Sequence, residues 1–218
     1  MGEYEQQALP GTQRRPPPAR LSSLFERLAA DGEGPITIAE IRAALGDRSL
    51  ATLLIFFAIF NLLPLPPPSS AILGLPLLIV AAQMLYGSTS VWLPKRILAI
   101  SLTREQFRSG MGRVVPWLVW LEKYIRPRYW PFWPKHGERI VGGIALVLAL
   151  VVTLPIPLGN WLPAFSITLL GFALSERDGV LLGVGAVFGL LSLAVIALVI
   201  GSAGAALGFV WSHLDALW

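Results

Sequence analysis

Five polar residues lie inside long uncharged stretches, next to pairs of prolines, and these are the side chains best placed to bind a ligand. They are Asn61, Ser69, Ser70, Thr153 and Asn160, beside the proline pairs Pro64/Pro66 and Pro155/Pro157. Amide and hydroxyl groups hydrogen-bond ligands, and a helix starting at Ser70 or Asn160 would present a partial positive charge to an anionic group. The pattern predicts a central binding site built from these residues. In a plainer alternative, which the sequence leaves open, the prolines only form compact turns and the polar residues only cap helices.

Residues that usually carry catalysis are scarce. Cysteine is absent, and the two histidines, His136 and His213, stand at the edges of apolar stretches. The sequence has no Ser/His/Asp set, phosphate-binding loop or dinucleotide fingerprint. The uncharged stretches also contain no carboxylate for acid–base chemistry on a sugar. We therefore expect no enzymatic activity, no cofactor and no metal site.

Composition indicates an integral membrane protein. Hydrophobic residues make up 55% of the 218 residues and charged residues 14%, and the mean hydropathy is +0.66, values unusual for a soluble domain. Residues 49–94, 140–175 and 179–214 contain no Asp, Glu, Lys or Arg. Blocks of this length are hidden from water in lipid, since a chain of this size cannot build a core large enough for all three.

The positive charges indicate the orientation in the membrane. Six of the 17 Lys and Arg residues precede Ser49, ten lie between Lys95 and Arg139, and the last is Arg177. The positive-inside rule therefore predicts that the N-terminal part and the central basic segment are cytoplasmic. These charges are expected to contact anionic lipid headgroups, and no nucleic-acid partner is predicted.

Residues 1–20 are predicted to be a flexible tail, because they are polar and rich in proline, and residues 21–218 to form a single membrane domain. Two amphipathic helices should follow the tail. Ser23 with Glu26 and Thr37 with Glu40 both have the capping-box spacing. The apolar faces of these helices fit either the membrane surface or the transmembrane core.

The central segment, 91–136, alternates aromatic and basic residues, as a chain at the headgroup level does. Its longest uncharged run is too short to cross a membrane. We expect two interfacial helices here, about 103–112 and 116–126, the first with a capping box at Thr103 and Gln106. Residues 180–213 are predicted to be a Gly-rich transmembrane region. Its GxxxG spacings, Gly185/Gly189 and Gly204/Gly208, suit packing within the chain or a homodimer.

The chain contains an internal repeat. Asp47-Arg48 corresponds to Glu138-Arg139, and Pro64/Pro66 corresponds to Pro155/Pro157, in each case 91 positions later. After each proline pair follows another apolar run, with Ser69 or Ser70 and Asn160 in N-cap positions. The repeats are predicted at about 36–90 and 137–179, each a helix, a proline break and a second helix. The acidic–arginine pairs are expected to anchor the helices at the interface.

The first helix of each repeat is predicted to be short. About fifteen residues reach only about 22 Å, whereas the hydrocarbon core is roughly 30 Å thick. Each repeat is therefore either two short tilted spans or a re-entrant hairpin. Arg48 and Arg139 are placed on the same side by the charge rule, which favours parallel over inverted copies.

Several motifs together resemble the ExoD family of bacterial exopolysaccharide-synthesis proteins. They are "GDRS", "NLLPLP", "GLPLL" and "LPIPLGN", within roughly residues 36–200. The resemblance implies a small polytopic protein of the bacterial inner membrane, linked to exopolysaccharide production and envelope or alkali tolerance. It brings no known catalytic residues to this chain.

Two functions are compatible with this sequence. The first is a transport or lipid-handling protein with its site at the paired proline breaks. The second is a structural or accessory subunit that supports exopolysaccharide machinery through its interfacial helices. Membrane lipids are the expected partners in both.

Overall fold

The chain is helical through most of its described length. The computed structural model describes residues 21–30, 34–45, 50–62, 67–88, 90–132, 134–154 and 160–215. The helices are α1 (Leu21–Ala30), α2 (Ile38–Leu45), α3 (Leu50–Asn61), α4 (Pro67–Tyr86), α5 (Lys95–Leu98), α6 (Arg104–Tyr124), α7 (Pro134–Thr153), α8 (Trp161–Glu176) and α9 (Gly179–Asp215). Two-residue strands, β1 (Ile36–Thr37) and β2 (Ser101–Leu102), pair antiparallel. The predicted all-α class is confirmed, and the predicted tail, 1–20, lies outside the described residues.

Helix α3 is the centre of the fold, because all twelve of its residues are buried. A helix that is apolar all round is stable only when it is surrounded. Helices α4 and α8 pack along it. The rings of Phe25 in α1 and Phe107 in α6 contact Phe56 and Phe60 of α3, with centroids 5.5 Å apart in each pair. The amphipathic helices α1 and α6 therefore direct apolar side chains at the apolar core. For α1, the sequence had left open whether this face meets the membrane surface or the core.

Hydrogen bonds fasten these outer helices to one another. The Arg104 guanidinium donates to the carbonyl of Leu28 at 3.1 Å, and that of Arg108 to the carbonyl of Ala29 at 3.2 Å. Both carbonyls belong to the last turn of α1, where intrahelical partners are missing. The capping box predicted at Thr37 is confirmed, since Thr37 and Glu40 bond each other's backbone N–H. The one predicted at Ser23 is wrong, because α1 begins earlier, at Leu21.

Helix α6 is continuous, so the prediction of two helices at 103–112 and 116–126 is wrong. The capping box at Thr103 and Gln106 is present, but the helix then runs to Tyr124 with Pro116 inside it. A proline within a helix removes one backbone hydrogen bond. Packing outweighs this loss, because one buried apolar stripe continues on both sides of the proline: Phe107, Met111, Val114, Val115, Leu118 and Leu121.

Helices α4 and α7 pack antiparallel at distances that only glycine permits. A Cβ atom added to Gly142 of α7 would lie 2.6 Å from the Cβ of Met84 and 2.7 Å from the backbone nitrogen of Leu85. At the other end of the pair, a Cβ on Gly74 of α4 would lie 2.9 Å from the Cγ2 of Thr153. The two backbones are therefore in near contact over most of their shared length.

Helix α9 returns along α8. The Ser166 hydroxyl donates to the carbonyl of Gly185 at 2.7 Å, and a Cβ on Gly189 would lie 3.0 Å from the same hydroxyl oxygen. The first GxxxG pair thus packs within the chain, against α8. Among the residues that the structure describes, a Cβ on Gly204, in the second pair, would meet nothing within 4 Å.

Two described helices have the length and composition to cross a membrane, in the ranges His136–Thr153 and Gly179–Ser202. Large apolar side chains of α9 are exposed, Leu190 to 69% and Leu198 to 73%. A helix in the core of a soluble protein would bury such residues, so lipid is the medium that suits this face.

The prediction of a fifteen-residue first helix is wrong for the second hairpin. Helix α7 has 20 residues, because it starts at Pro134 and includes the charged turn before Val141. At 1.5 Å per residue it reaches about 30 Å, the thickness of the hydrocarbon core. Helix α3, with 12 residues, reaches only about 18 Å.

The contact at Gly142 predicts a strong effect of one methyl group. Gly142→Ala should lower the free energy of unfolding by about 1–3 kcal/mol, since the backbone of α4 has no room to retreat. The measurement is thermal or denaturant unfolding of the purified protein in detergent.

Gly143→Ala is the matched control. Its Cβ would meet only the Cδ1 of Leu85, at 3.4 Å, an ordinary contact. This variant should gain about 0.5–1 kcal/mol from the higher helix propensity of alanine. Equal stability of the two variants would contradict the close approach of α4 and α7.

Candidate functional site

The structure describes part of the predicted central site. Asn61 is the last residue of α3, Thr153 is the last of α7, and Asn160 immediately precedes α8. Ser69 and Ser70 belong to the first turn of α4 by their backbone, and their side chains are outside the description. The prolines of the two pairs also lie outside the described residues: Pro64, Pro66, Pro155 and Pro157.

The helix ends that flank the two proline breaks are at the same end of the helix bundle. The contact between Gly74 and Thr153 sets the end of α7 beside the second turn of α4. Only residues 62–66 connect α3 to α4, and only residues 154–160 connect α7 to α8. The end of α3 and the start of α8 therefore lie within a short chain length of that contact. We call the residues at these helix ends, Asn61, Ser69, Ser70, Thr153 and Asn160, the proline end.

Asn61 is a buried polar residue with unused hydrogen-bonding capacity. Its side chain is 6% exposed, and its Nδ2 donates to the carbonyl of Phe57 at 2.8 Å. Its Oδ1 is buried and accepts no hydrogen bond from any residue that the structure describes. Buried acceptors are normally satisfied by protein, water or a ligand. Asn61 is therefore the described residue of the proline end that most invites a partner.

The predicted N-caps differ from the structure. Helix α4 begins at Pro67, so Ser69 and Ser70 lie within its first turn and are not its N-cap. Proline suits the first helical position, because its missing N–H would have no partner there. Asn160 does stand at the N-cap of α8, but its backbone is helical and its side chain makes no capping bond. The hydroxyl of Thr153 donates to the carbonyl of Leu150 at 2.6 Å, within its own helix.

The charge motifs of the repeat lie away from the proline end. Asp47 and Arg48 are outside the described residues. Glu138 and Arg139 are exposed, near the start of α7. The Arg139 guanidinium lies over Gly87, where the chain leaves α4 with a φ of +77°, and a Cβ there would be 2.8 Å from its Nε. This arginine therefore covers the end of α4, about 21 Å of helix away from Thr153.

Asp178 is a buried carboxylate with four hydrogen-bond donors, and the sequence analysis assigned it no role. Its side chain is 1% exposed. One carboxylate oxygen accepts from the backbone N–H of Arg126 at 3.1 Å. The other accepts from the Arg128 guanidinium at 3.2 Å and from the N–H groups of Val180 and Leu181 at 2.9 and 3.2 Å. The carboxylate thus caps α9 and holds the 126–128 segment.

The backbone around Asp178 reinforces this joint. The N–H of Gly179 donates to the carbonyl of Arg128 at 2.7 Å, and the N–H of Arg128 donates to the carbonyl of Arg177 at 3.2 Å. Arg177 is left-handed, with φ of 54°, and ends α8. A Cβ on Gly179 would collide with the carbonyl oxygen of Tyr129. The sequence signal for this joint was an Asp-Gly pair directly before an apolar helix, which is typical of an N-cap.

The surroundings of Asp178 lower its pKa. Burial alone would raise the pKa, but the N–H groups of Arg126, Leu181 and Val180 and the guanidinium of Arg128 bond the charged form and outweigh burial. The pKa therefore lies below the ordinary value of 3.8. Because folding depresses this pKa, the carboxylate stabilises the fold fully above that value, and the contribution is lost as pH falls through the lower folded-state pKa.

An aromatic groove lies between α6, α8 and α9, beside the Asp178 joint. Its volume is about 490 Å³. Its lining is Trp117, Trp120, Leu121, Tyr124, Ile125, Arg128, Phe165, Leu169, Asp178, Val180, Leu181, Val184 and Phe188. A volume of 300–1,000 Å³ with a mostly apolar lining and few polar groups is characteristic of ligand pockets. No residue of this groove belongs to the proline end.

Known proteins resemble this chain over most of its length. A family model described as "Exopolysaccharide synthesis, ExoD" matches residues 21–198. The Synechocystis sp. protein named "Uncharacterized protein slr1875" is 30% identical over 177 residues, which cover 79% of this chain and 84% of that protein. "Protein ExoD" of Rhizobium meliloti is 28% identical over 187 residues, covering 82% and 75%. No solved structure matches the chain at a significant level.

The Asp178 joint predicts a pH-dependent stability. Asp178→Asn should lower the free energy of unfolding by about 1–3 kcal/mol at about pH 7, because an amide nitrogen would face the N–H of Arg126 and the Arg128 guanidinium would lose its counter-charge. The stability of the variant should also change less than that of the parent between about pH 7 and about pH 3. Unfolding in detergent at both pH values measures this.

Glu176→Gln serves as the control, since Glu176 is an exposed carboxylate two residues away. It should leave both the stability and its pH dependence close to those of the parent. If Asp178→Asn behaved like Glu176→Gln, the carboxylate would not hold the joint.

Proposed function

Since this chain belongs to the ExoD family of exopolysaccharide synthesis, we propose that it acts in the bacterial inner membrane as a transporter-like or lipid-handling protein with its site at the proline end. The observation that carries the proposal is the buried Oδ1 of Asn61, at the end of the bundle where the two proline breaks lie close together. Irregular backbone at membrane depth requires a cover of protein or water. Two adjacent breaks with polar side chains meet that requirement and can bind a polar group.

The helix pairing supports a duplication behind this site. A shift of 91 positions carries α3 onto part of α7 and α4 onto α8. Because α3 corresponds to α7 and α4 to α8, the α3–α8 pair is equivalent to the α7–α4 pair. Both pairs are closely packed. Glycine makes the approach in each, Gly171 against Ile55 in one and Gly142 against Met84 in the other. A two-fold arrangement of this kind gives the site one half from each copy, as in transporters built from repeats.

The proposed topology follows from charge. The basic segment before α7 and the N-terminal helices are cytoplasmic, so each hairpin enters from that side and returns to it. The proline end then lies at a depth that α6 also reaches, because Phe107 of α6 contacts Phe60, the residue before Asn61. Helix α3, which is too short to span, is covered by protein on all sides and needs no contact with lipid. In this arrangement the protein is multi-pass, and its two hairpins are parallel copies.

No catalytic role is part of the proposal. Selective movement of a lipid or polar solute requires binding groups and a conformational change, both without covalent chemistry. A homodimer through the last helix is compatible with this function, because the second GxxxG spacing is not used against α8 at Gly204.

Transport through the proline end predicts a defined mutant phenotype. The double variant Asn61→Ala/Asn160→Ala should slow movement of fluorescent phospholipid across proteoliposome membranes by about tenfold, the effect of losing a ligand hydrogen bond of about 1.4 kcal/mol. Thr168→Val is the control: its buried hydroxyl donates to the carbonyl of Ala164, in its own helix. The proposal would be contradicted if the well-folded double variant moved phospholipid as fast as the parent protein, or if the parent protein moved none.

A second function, an accessory subunit of exopolysaccharide machinery, is favoured by exposed aromatics in the central segment. Trp92 is 67% exposed and Tyr129 is 86% exposed, beside basic residues. Large exposed aromatics commonly mark partner contacts or the headgroup level.

A photo-crosslinking residue at position 92 or 129 separates these uses in native membranes. The accessory function predicts a specific protein adduct at these positions, and none from position 195, on the lipid-exposed part of α9. Adducts with lipid alone would leave the aromatics as headgroup anchors and count against the accessory function.

A further inference from the structure

We propose that the aromatic groove binds one acyl chain of an anionic phospholipid, with the phosphate at Arg128. The site is separate from the proline end, and it rests on the proposed function only for the placement of the protein in a membrane. Three observations carry it: the closed aromatic floor, the cationic mouth and the length between them.

The floor of the groove is a cluster of aromatic rings. Trp117 of α6 contacts Phe165 of α8 with centroids 5.7 Å apart, and Phe165 contacts Phe188 of α9 at 5.0 Å. Trp161 also stacks on Phe165, with centroids 6.0 Å apart. These rings close the groove between the three helices, so an apolar chain entering it meets aromatic surface at its end.

The walls are apolar and the rim is open. Leu121, Leu169 and Leu181 supply aliphatic surface, and Trp120, Tyr124, Val180 and Val184 form an exposed rim. Trp120 and Tyr124 contact each other with ring centroids 4.9 Å apart. The open apolar wall lies beside the lipid-exposed face of α9, so an acyl chain can enter the groove sideways from the bilayer. A water-soluble ligand would not cover the exposed apolar rim.

The mouth carries positive charge. Arg128 lies there with 43% of its side chain exposed, and its bond to Asp178 uses Nε. Its two terminal amino groups remain as donors for an anionic oxygen. Lys123 and Arg126 are also exposed. Between positions 122 and 128 the sequence has one carboxylate, Glu122. Glu176 and Arg177, exposed on the facing turn, offset each other. The positive net charge of the mouth favours a lipid whose headgroup has a net negative charge over one whose headgroup is neutral overall.

The dimensions match one leaflet. From Asp178 to Phe165, α8 runs about 20 Å. A leaflet contributes about 15 Å of hydrocarbon to a core of roughly 30 Å. A chain whose headgroup lies at Arg128 can therefore extend along α8 to the aromatic floor. The mouth belongs to the basic central segment, so the lipid comes from the leaflet on that side.

Native mass spectrometry of the full-length protein in detergent tests this site. The protein is titrated with dioleoylphosphatidylglycerol and, separately, with dioleoylphosphatidylcholine. We expect one tightly retained phosphatidylglycerol per chain and about tenfold weaker retention of phosphatidylcholine, or about 1.4 kcal/mol. Both lipids offer a phosphate to Arg128, but the choline ammonium of phosphatidylcholine offsets the attraction of the cationic mouth.

Two pairs of variants locate the lipid. Val184→Trp fills the groove, whereas Val195→Trp places the same side chain on α9 outside it; the parent valines are 43% and 41% exposed. Only Val184→Trp should lose the retained lipid. Arg128→Gln should remove the preference for phosphatidylglycerol, and Arg113→Gln, an exposed cation of α6 that does not line the groove, should keep it.

Several results would overturn the proposal. They are equal retention of the two lipids by the parent protein, unchanged retention by Val184→Trp, or a dimer that Val184→Trp abolishes. Val184→Trp leaves the Arg128–Asp178 pair in place, so it tests the groove even if Arg128→Gln fails to fold. Lipid movement through the proline end is measured in a separate assay. A negative transport assay would therefore contradict the proposed function and not the groove, and a negative retention result would contradict the groove and not the proposed function.

Discussion

Every residue of α3 is buried, and this burial constrains the whole architecture. Lipid could cover an apolar helix at no cost, yet here protein does so on all sides: α4 and α8 along its length, and phenylalanines of α1 and α6 over the rest. A helix of about 18 Å cannot expose both of its ends at membrane surfaces. Its unpaired terminal groups must be satisfied inside the protein or in a wet cavity, which explains why a polar residue, Asn61, stands at its end.

The two ends of the bundle have different chemistry. At one end, Asp178, Arg128 and Arg139 bond to backbone turns, and charges stabilise defined connections. At the other, the helix ends beside the proline breaks carry neutral amides and a hydroxyl, at Asn61, Thr153 and Asn160. The cations of α6 near that end, Arg104 and Arg108, bond backbone carbonyls of α1. The aromatic groove begins at the charged end and runs along α8 toward the breaks.

Periodicity and capping spacing predicted the helices well where local chemistry decides the outcome, as at Thr37 and Thr103. They failed where tertiary packing decides. Pro116 is a helix breaker by its own chemistry, but one apolar stripe holds α6 together across it. The Pro134 start of α7 was missed because its charged first turn interrupts the hydropathy pattern.

The residues of the proline end could be named from the sequence, because two proline pairs recur with the same spacing. That the two breaks lie at one end of the bundle is set by the α4–α7 contact at Gly74, which no local pattern reveals. The role of Asp178 was missed for the same reason: two of its four hydrogen-bond donors are local, but the other two come from residues 50 and 52 positions away.

The burial of α3 also sets an order for biogenesis. The helix is synthesised after α1 and α2, yet the rest of its covering, α4, α6 and α8, is synthesised later. As α3 leaves the ribosome it is an apolar segment too short to be held by the bilayer alone. It must remain in a provisional environment, beside lipid or insertion machinery, until α8 arrives. Final assembly of the core is therefore a late step, completed when most of the chain has been made.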